Sequence, residues 1–354
     1  MKFTKSALPL LLILASSYSK AQLVESTGFE SQNVGVNYSS SIWQSDGFDP
    51  DWVQGMDTRS EVDDEQAYSG SKSLRLKYPQ GEYGPGETGG QTPLLLPAES
   101  EYYMSYWLRF DDNFSWGGTS QGGKLPGLAA GDNCSGCSSC NGTNGFTARF
   151  MWRTDGKAVL YLYHMDKESS CGDDHELKHS NGSNVFFPKG DWVHLIERVK
   201  INSGNNADGE VQVWFNGEEV LSMEGIQFVN NGQKIDNLYF STFHGGSGTQ
   251  WAPQNDSYIW FDDLKISTNK SDVDQVLNTV SNEQFTTDYS ISPNPTTHSF
   301  LIHYDSPKSL VVSNSMGQVI YDGTVYSGDQ VGADWPKGVY FFTTDGQTER
   351  LIKK

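Results

Sequence analysis

The sequence predicts an all-β protein: a two-sheet antiparallel sandwich or jelly roll, followed by a small β-sandwich. Three observations carry this. Few segments show the apolar period of a helix. Many short runs alternate apolar and polar residues between Gly, Asn, Asp and Ser turn signals. The composition holds 37 Gly and 13% aromatics but only 25 Lys+Arg, which suits half-buried strands joined by tight turns.

The chain opens like a secretory signal. Lys2 and Lys5 precede an apolar run from Ala7 to Ala15, and Ser19-Lys20-Ala21 fits the small-x-small cleavage rule. The run is too short to span a bilayer. Residues 1–21 are therefore read as a signal peptide, with Gln22 first in an exported mature chain that has no membrane span. The main unit is read over 22–268. Its strand-like runs are Ser73–Tyr78, Tyr102–Phe110, Phe146–Trp152, Ala158–His164, Trp192–Ile201, Glu210–Phe215, Asn237–Phe243 and Ser257–Ile266. Asn216-Gly217 between two runs is a hairpin signal. Residues 269–289 are polar and read as a linker, with a helical turn around Val273–Leu277. A second unit of short alternating strands fills 290–354.

The central hairpin is the most informative segment. It reads FTARFMW, RTDGK, AVLYLYH over Phe146–His164. Side chains alternate between faces along a strand. A three-residue loop at Thr154-Asp155-Gly156, a type I turn closed by a left-handed Gly, pairs Arg153 with Lys157. Arg149 then faces Tyr161, and Thr147 faces Tyr163. Phe146, Phe150, Trp152, Leu160 and Leu162 share the core face. A two-residue loop would mix the faces, so the register is well specified. A cation and two phenols are thereby expected on an open sheet surface, which suits a sugar acid.

Other motifs weigh less. Cys134, Cys137 and Cys140 have C-x2-C-x2-C spacing, but export favours two disulfides with Cys171 over a metal cluster. Three pairings are open. His175-Glu176-Leu177-Lys178-His179 matches a zinc motif that needs a helix; its polar flanks make it a surface loop. Gly122–Leu128 reads as a Gly-rich turn carrying Lys124, and Phe240–Ser247 as a strand running into a Gly turn at His244. Asp262-Asp263 at one end of the main unit and Glu30 at the other could share a structural calcium. The formal charge of −19 argues against nucleic acid. It also sits awkwardly with a polyanionic substrate, although a local basic cleft can exist on an acidic protein.

Together these segments resemble polysaccharide lyase family 14, which includes alginate lyases. The carriers are GGKLPGL (Gly122–Leu128), the TARFMW and YLY strands, the Trp192 strand, VQVWFNG (Val211–Gly217), STFHGGS (Ser241–Ser247) and IWFDDL (Ile259–Leu264). The resemblance implies a jelly roll with a concave cleft. It also implies catalytic roles for Lys124, Arg149, Tyr161 and Tyr163, with no cofactor required. Thr147 stands where the family has Ser; Thr147, Gln212 and His244 are expected substrate contacts. The implied activity is β-elimination on a 4-linked polyuronate, alginate first and glucuronan second. Lys124 and Arg149 would hold the carboxylate, and a tyrosine would act as base, acid or both, its anion favoured by the cations. Lys124 is the alternative base. A jelly-roll glycoside hydrolase acting on a neutral glucan is the second reading, and a non-catalytic glycan-binding module the third.

The segment 290–354 resembles the C-terminal sorting domain of the type IX secretion system. The carriers are Pro293-Asn294-Pro295, Met316-Gly317-Gln318, Pro336-Lys337-Gly338-Val339-Tyr340 and the end Arg350-Leu351-Ile352-Lys353-Lys354. This implies the secretion machinery as a partner, and release or attachment at the cell surface.

Overall fold

The computed structural model describes residues 23–274, 289–292, 296–304, 308–314, 318–344 and 347–354. The signal-peptide assignment, the rest of the linker, and the motifs at 293–295 and 315–317 lie outside the described residues. The described chain falls into two compact units, one ending at Asp274 and the other starting at Tyr289.

The first unit is built from fifteen strands. They are β1 (Leu23–Thr27), β2 (Asp49–Pro50), β3 (Ser60–Asp63), β4 (Ser73–Tyr78), β5 (Gly90–Glu99), β6 (Glu101–Phe110), β7 (Gly123–Ala130) and β8 (Phe146–Trp152). Then come β9 (Ala158–Tyr163), β10 (Asp173–Glu176), β11 (Trp192–Lys200), β12 (Gly209–Phe215), β13 (Glu218–Ile226), β14 (Ile235–His244) and β15 (Ser257–Ser267). They form two antiparallel sheets, as a jelly-roll sandwich requires. One runs β13-β12-β11-β6-β15-β4-β3, with β1 beside β15; the other runs β10-β9-β8-β7-β14-β5-β2. The inner faces meet through alternate residues of each strand. Tyr106 packs on Phe150, Phe110 on Trp152 and Phe261 on Phe240, with ring centroids 6.5, 5.7 and 5.1 Å apart. All six rings are fully buried, so burial of alternate apolar residues fixes the register of both sheets.

The central hairpin has the expected register: Thr147 pairs with Tyr163, Arg149 with Tyr161, and Phe150 with Leu160. Its turn differs. Asp155 is left-handed as well as Gly156, at φ 58° and 83°. Asp is among the few residues that visit this region readily, and Asp155 N–H donates to Gln121 Oε1 at 2.8 Å. Asn216 and Gly217 are both left-handed, as a type I′ hairpin turn needs.

Three segments depart from their sequence reading. Gly123–Ala130 is a central strand, not a turn. The H-E-x-x-H segment lies on the edge strand β10 and its exit, neither helix nor loop. The helical turn expected around Val273–Leu277 is seen as a short helix at Lys270–Asp274, but it packs on the first unit. There Val273 is buried against Ile196 and Trp214, and Ser105 Oγ donates to the Val273 carbonyl at 3.0 Å.

The second unit, described by itself, carries a three-stranded and a four-stranded antiparallel sheet. Its core includes Phe300, Ile302, Leu310, Val312, Phe342 and Leu351.

Candidate active site

The site is assembled on the outer face of the second sheet, and a bulge in β7 decides its composition. Gly127 pairs with Arg149 and Lys124 with Met151, so three residues of β7 span two of β8. In a regular strand, positions 124 and 127 would face opposite ways. The extra residue puts both on the Arg149 face. Pro126, which has no N–H for the ladder, occupies the bulge. Gly127 is required there: a Cβ would lie 1.9 Å from the Ala148 carbonyl oxygen.

Lys124, Arg149, Tyr161 and Tyr163 thus line one cavity of about 530 Å³. Lys124 Nζ sits 3.8 Å from the Tyr161 ring centroid and 2.8 Å from Met151 Sδ. Among the described residues neither Lys124 nor Arg149 has an ion-pair partner. Burial first, then Arg149 and Arg153, pulls the Lys124 ammonium well below the usual lysine range. Arg149 is 2% exposed. Its Nη1 donates to Ser241 Oγ at 3.0 Å, and its guanidinium lies 4.9 Å from the Tyr239 ring centroid. Ser241 Oγ and Tyr239 Oη both donate to Gln91 Oε1, at 3.2 and 2.8 Å. That network orients the guanidinium through neighbours that carry no negative charge to neutralise it.

Tyr161 behaves differently from the sequence expectation. Cations were expected to favour a tyrosinate; instead burial, then the Tyr163 hydroxyl, pushes Tyr161 up to about 12. A protonated phenol beside a lysine of lowered pKa can serve as proton donor and acceptor respectively.

The face is also less open than alternation alone suggests. Disulfides Cys134–Cys140 and Cys137–Cys171 staple the Gly/Ser/Asn-rich loop that begins at Gly131. Cys134, Cys140 and Cys171 pack with Met151, Val159, Tyr161 and Tyr163 in a small cluster of their own. Thr147 is consequently fully buried, and its Oγ1 donates to the Cys134 carbonyl at 3.1 Å. It anchors the loop and does not line the cavity.

Two other expected contacts lie elsewhere. Gln212 is on β12, in the opposite sheet, where Oε1 accepts from Arg198 at 2.7 Å. His244 shares the inward face of β14 with Phe240 and is fully buried among Tyr78, Phe114 and Trp152. Burial lowers its pKa to about 4, and Nδ1–H donates to the Trp251 carbonyl at 3.0 Å. Counting alternation forward from Phe240 would have predicted this. Tyr239, Ser241, Gln91 and Arg153 were missed as site residues. Tyr239 and Ser241 were legible as the outward positions of β14; Gln91 was not, because β5 went unread.

Two of the three suggested calcium ligands, Asp262 and Glu30, accept hydrogen bonds from backbone amides. Asp262 Oδ2 accepts from the Tyr68 and Ser69 amides at 2.8 and 3.1 Å, and Glu30 accepts from the Ser71 and Lys72 amides. Burial and the adjacent Asp263 raise Asp262 to about 7, although the amides oppose this. Asp263 Oδ2 is buried without a partner. Among the described residues no group of three His, Cys, Asp or Glu side chains is placed to hold a metal ion.

The family model described as Polysaccharide lyase 14 matches residues 66–264. The chain belongs to polysaccharide lyase family 14. It is thus a polysaccharide lyase. No curated protein matches it. A variant of alginate lyase Aly36B in complex with an alginate tetrasaccharide is 29% identical, with a TM-score of 0.58 over 68% of this chain and 95% of that one. The marine PL-14 alginate lyase from Aplysia kurodai is 26% identical, with a TM-score of 0.56 over 70% and 99%. Alginate lyase vAL-1 from Chlorella virus, 18% identical with a TM-score of 0.53 over 66% and 99%, shares the fold. The family 14 match takes in β4 to β14 and hence all four cavity residues named from sequence.

Proposed function

We propose that this lyase cleaves a 4-linked polyuronate, alginate in the first instance, by β-elimination. Arg149 holds the uronate carboxylate and draws off charge as the C5 proton leaves. Lys124, as the neutral amine, takes that proton. The C4–O4 bond breaks, a C4–C5 double bond forms, and Tyr161 or Tyr163 delivers a proton to the departing O4. The reaction is redox-neutral, and side chains alone carry every step.

One observation supports this above the alternatives. The cavity gathers Lys124, Arg149, Arg153 and two phenols, while no Asp or Glu among the described residues lines it. A glycosidase needs two carboxyl groups across its cleft, and a binding module needs no amine of depressed pKa. Tyr161→Phe and Tyr163→Phe test the assignment, followed by ultraviolet absorbance of the unsaturated product on alginate and glucuronan. One variant should lose ~10²-fold or more in rate at unchanged melting temperature. If both match the parent, the acid lies elsewhere.

We likewise propose that the chain comprises a signal peptide at 1–21, a lyase unit at 22–268, a linker at 269–289 and a sorting domain at 290–354. Two disulfides and a family of polysaccharide-degrading enzymes support an extracellular setting. Deleting 290–354 in the native host should leave the enzyme in the cell envelope; normal appearance in the medium would refute the type IX assignment.

A further inference from the structure

The two phenol oxygens receive backbone hydrogen bonds from one covalently tied structure. Cys137 N–H donates to Tyr163 Oη at 3.0 Å, and Gly172 N–H donates to Tyr161 Oη at 3.0 Å. Cys137 is bonded to Cys171, the residue before Gly172, across 34 positions of sequence. The two amides therefore sit on either arm of one disulfide. The two oxygens are 3.4 Å apart.

A phenol has one proton to donate and two lone pairs. An arriving N–H occupies a lone pair and leaves the proton for another acceptor. It also steadies the oxygen once that proton has gone, in the manner of an oxyanion hole. Both amides are held closely in place. Cys137 adopts φ 64°, where non-Gly residues are uncommon. A Cβ on Gly172 would lie 2.6 Å from the Tyr163 ring and 3.0 Å from the Tyr161 ring. Only a residue without a side chain lets that amide reach the phenol.

We propose that the Cys137–Cys171 disulfide is a positioning element of the lyase reaction, holding the Cys137 and Gly172 amides on Tyr163 and Tyr161 so that, with one proton shared between the two hydroxyls, the other faces the cleft. This rests on the tyrosine acid assigned above. The disulfide itself undergoes no chemistry in turnover. It fixes two donors whose partner changes charge.

The test uses the full oxidised chain carrying Cys137→Ser with Cys171→Ser, and separately Gly172→Ala, beside Tyr161→Phe and Tyr163→Phe. The measurements are melting temperature, kcat and KM on alginate, and the pH profile of kcat. Both amide variants should lose ~10²-fold or more in kcat, the low side of one lost transition-state donor, with KM within about threefold. The alkaline limb, where the phenol ionises, should move to higher pH because an N–H that favours the phenolate is gone. A purely structural loop would not move that limb. Unchanged kcat in the folded variants, or a rise in KM alone, overturns the proposal. If the cysteine pair fails to fold, Gly172→Ala decides by the same criteria. Should the Phe variants lose rate while the amide variants keep theirs, only this proposal fails. Should both Phe variants match the parent, the acid assignment fails and takes this proposal with it.

Discussion

Replacing Arg149 with Ala should separate rate, pH dependence and stability in one protein. The guanidinium is 2% exposed and has no ion-pair partner among the described residues. It contacts neutral groups: Ser241 at 3.0 Å and the Tyr239 ring at 4.9 Å. Losing one electrostatic donor from a transition state costs ~10²–10³-fold in rate, about 2.7–4 kcal/mol. The same cation is the second cause, after burial, of the lowered Lys124 pKa. Its removal should raise that pKa. The acidic limb of the kcat/KM profile, where Lys124 must lose its proton, should then shift to higher pH. Stability should change little, because the lost packing is offset by removal of a buried, unneutralised charge. The assay is product absorbance across a pH series, with urea melts alongside. A folded Arg149→Ala enzyme within a few-fold of the parent rate, its acidic limb unmoved, would refute both the clamp and the lysine base.

Three further outcomes are expected. His244 titrates near 4 when folded against 6.5 in the reference state; a lowered histidine favours the folded state above pH 6.5, and that advantage is lost as pH falls towards 4. Between pH 7 and 5 this amounts to about 2 kcal/mol, and His244→Gln should abolish that share of the acid loss in urea melts, while His194, also lowered to about 4, keeps its own. Trp52 is 39% exposed, 6.2 Å from the cavity residue Tyr239; if it is a platform for a sugar ring, Trp52→Ala should raise KM about 3–10-fold and spare kcat, the mark of uniform binding. A chain ending at Ser267 loses the Val273 contacts and should be about 2 kcal/mol less stable than one ending at Leu277, with equal rates at low temperature; equal melting temperatures would show that the helix contributes nothing.

The hairpin at Phe146–Tyr163 was legible because period-two alternation and a tight loop leave one register that buries Phe150 and Leu160 together. The strand carrying Lys124 was not. Gly123, Pro126 and Gly127 look like turn residues, and the bulge breaks the alternation that would have revealed a strand. Thr147 was placed on the correct face, but alternation says nothing about a loop folding over that face. Only the cysteines hinted at it. Gln212 was misplaced because strand order, which assigns β12 to the opposite sheet, is a tertiary property. His244 was a different kind of error. Its inward orientation followed from Phe240 by counting, and the Gly-rich exit drew attention away from the count.

The remaining tension is electrostatic, and it yields a last expectation. A chain of formal charge −19 should repel a polyuronate, yet the cavity gathers Lys124, Arg149 and Arg153. Arg153 is largely spoken for by Asp174, whose oxygens accept at 2.8 and 2.5 Å. With Lys124 acting as the neutral amine, the cationic pull is therefore local and rests on Arg149, which is sheltered from solvent, while the repulsion is long-ranged and crosses water. Salt screens these unequally. The Debye length falls from about 30 Å at 0.01 M to about 8 Å at 0.15 M, which removes most of the surface repulsion but leaves contacts at a few ångströms. Raising salt over that range should thus lower KM for alginate at nearly constant kcat. An enzyme steered by a broad basic surface would show the reverse, a KM rising steadily from the lowest salt. A monotonic rise would mean that the acidic surface lies away from the path of the polymer and that net charge says nothing about its approach.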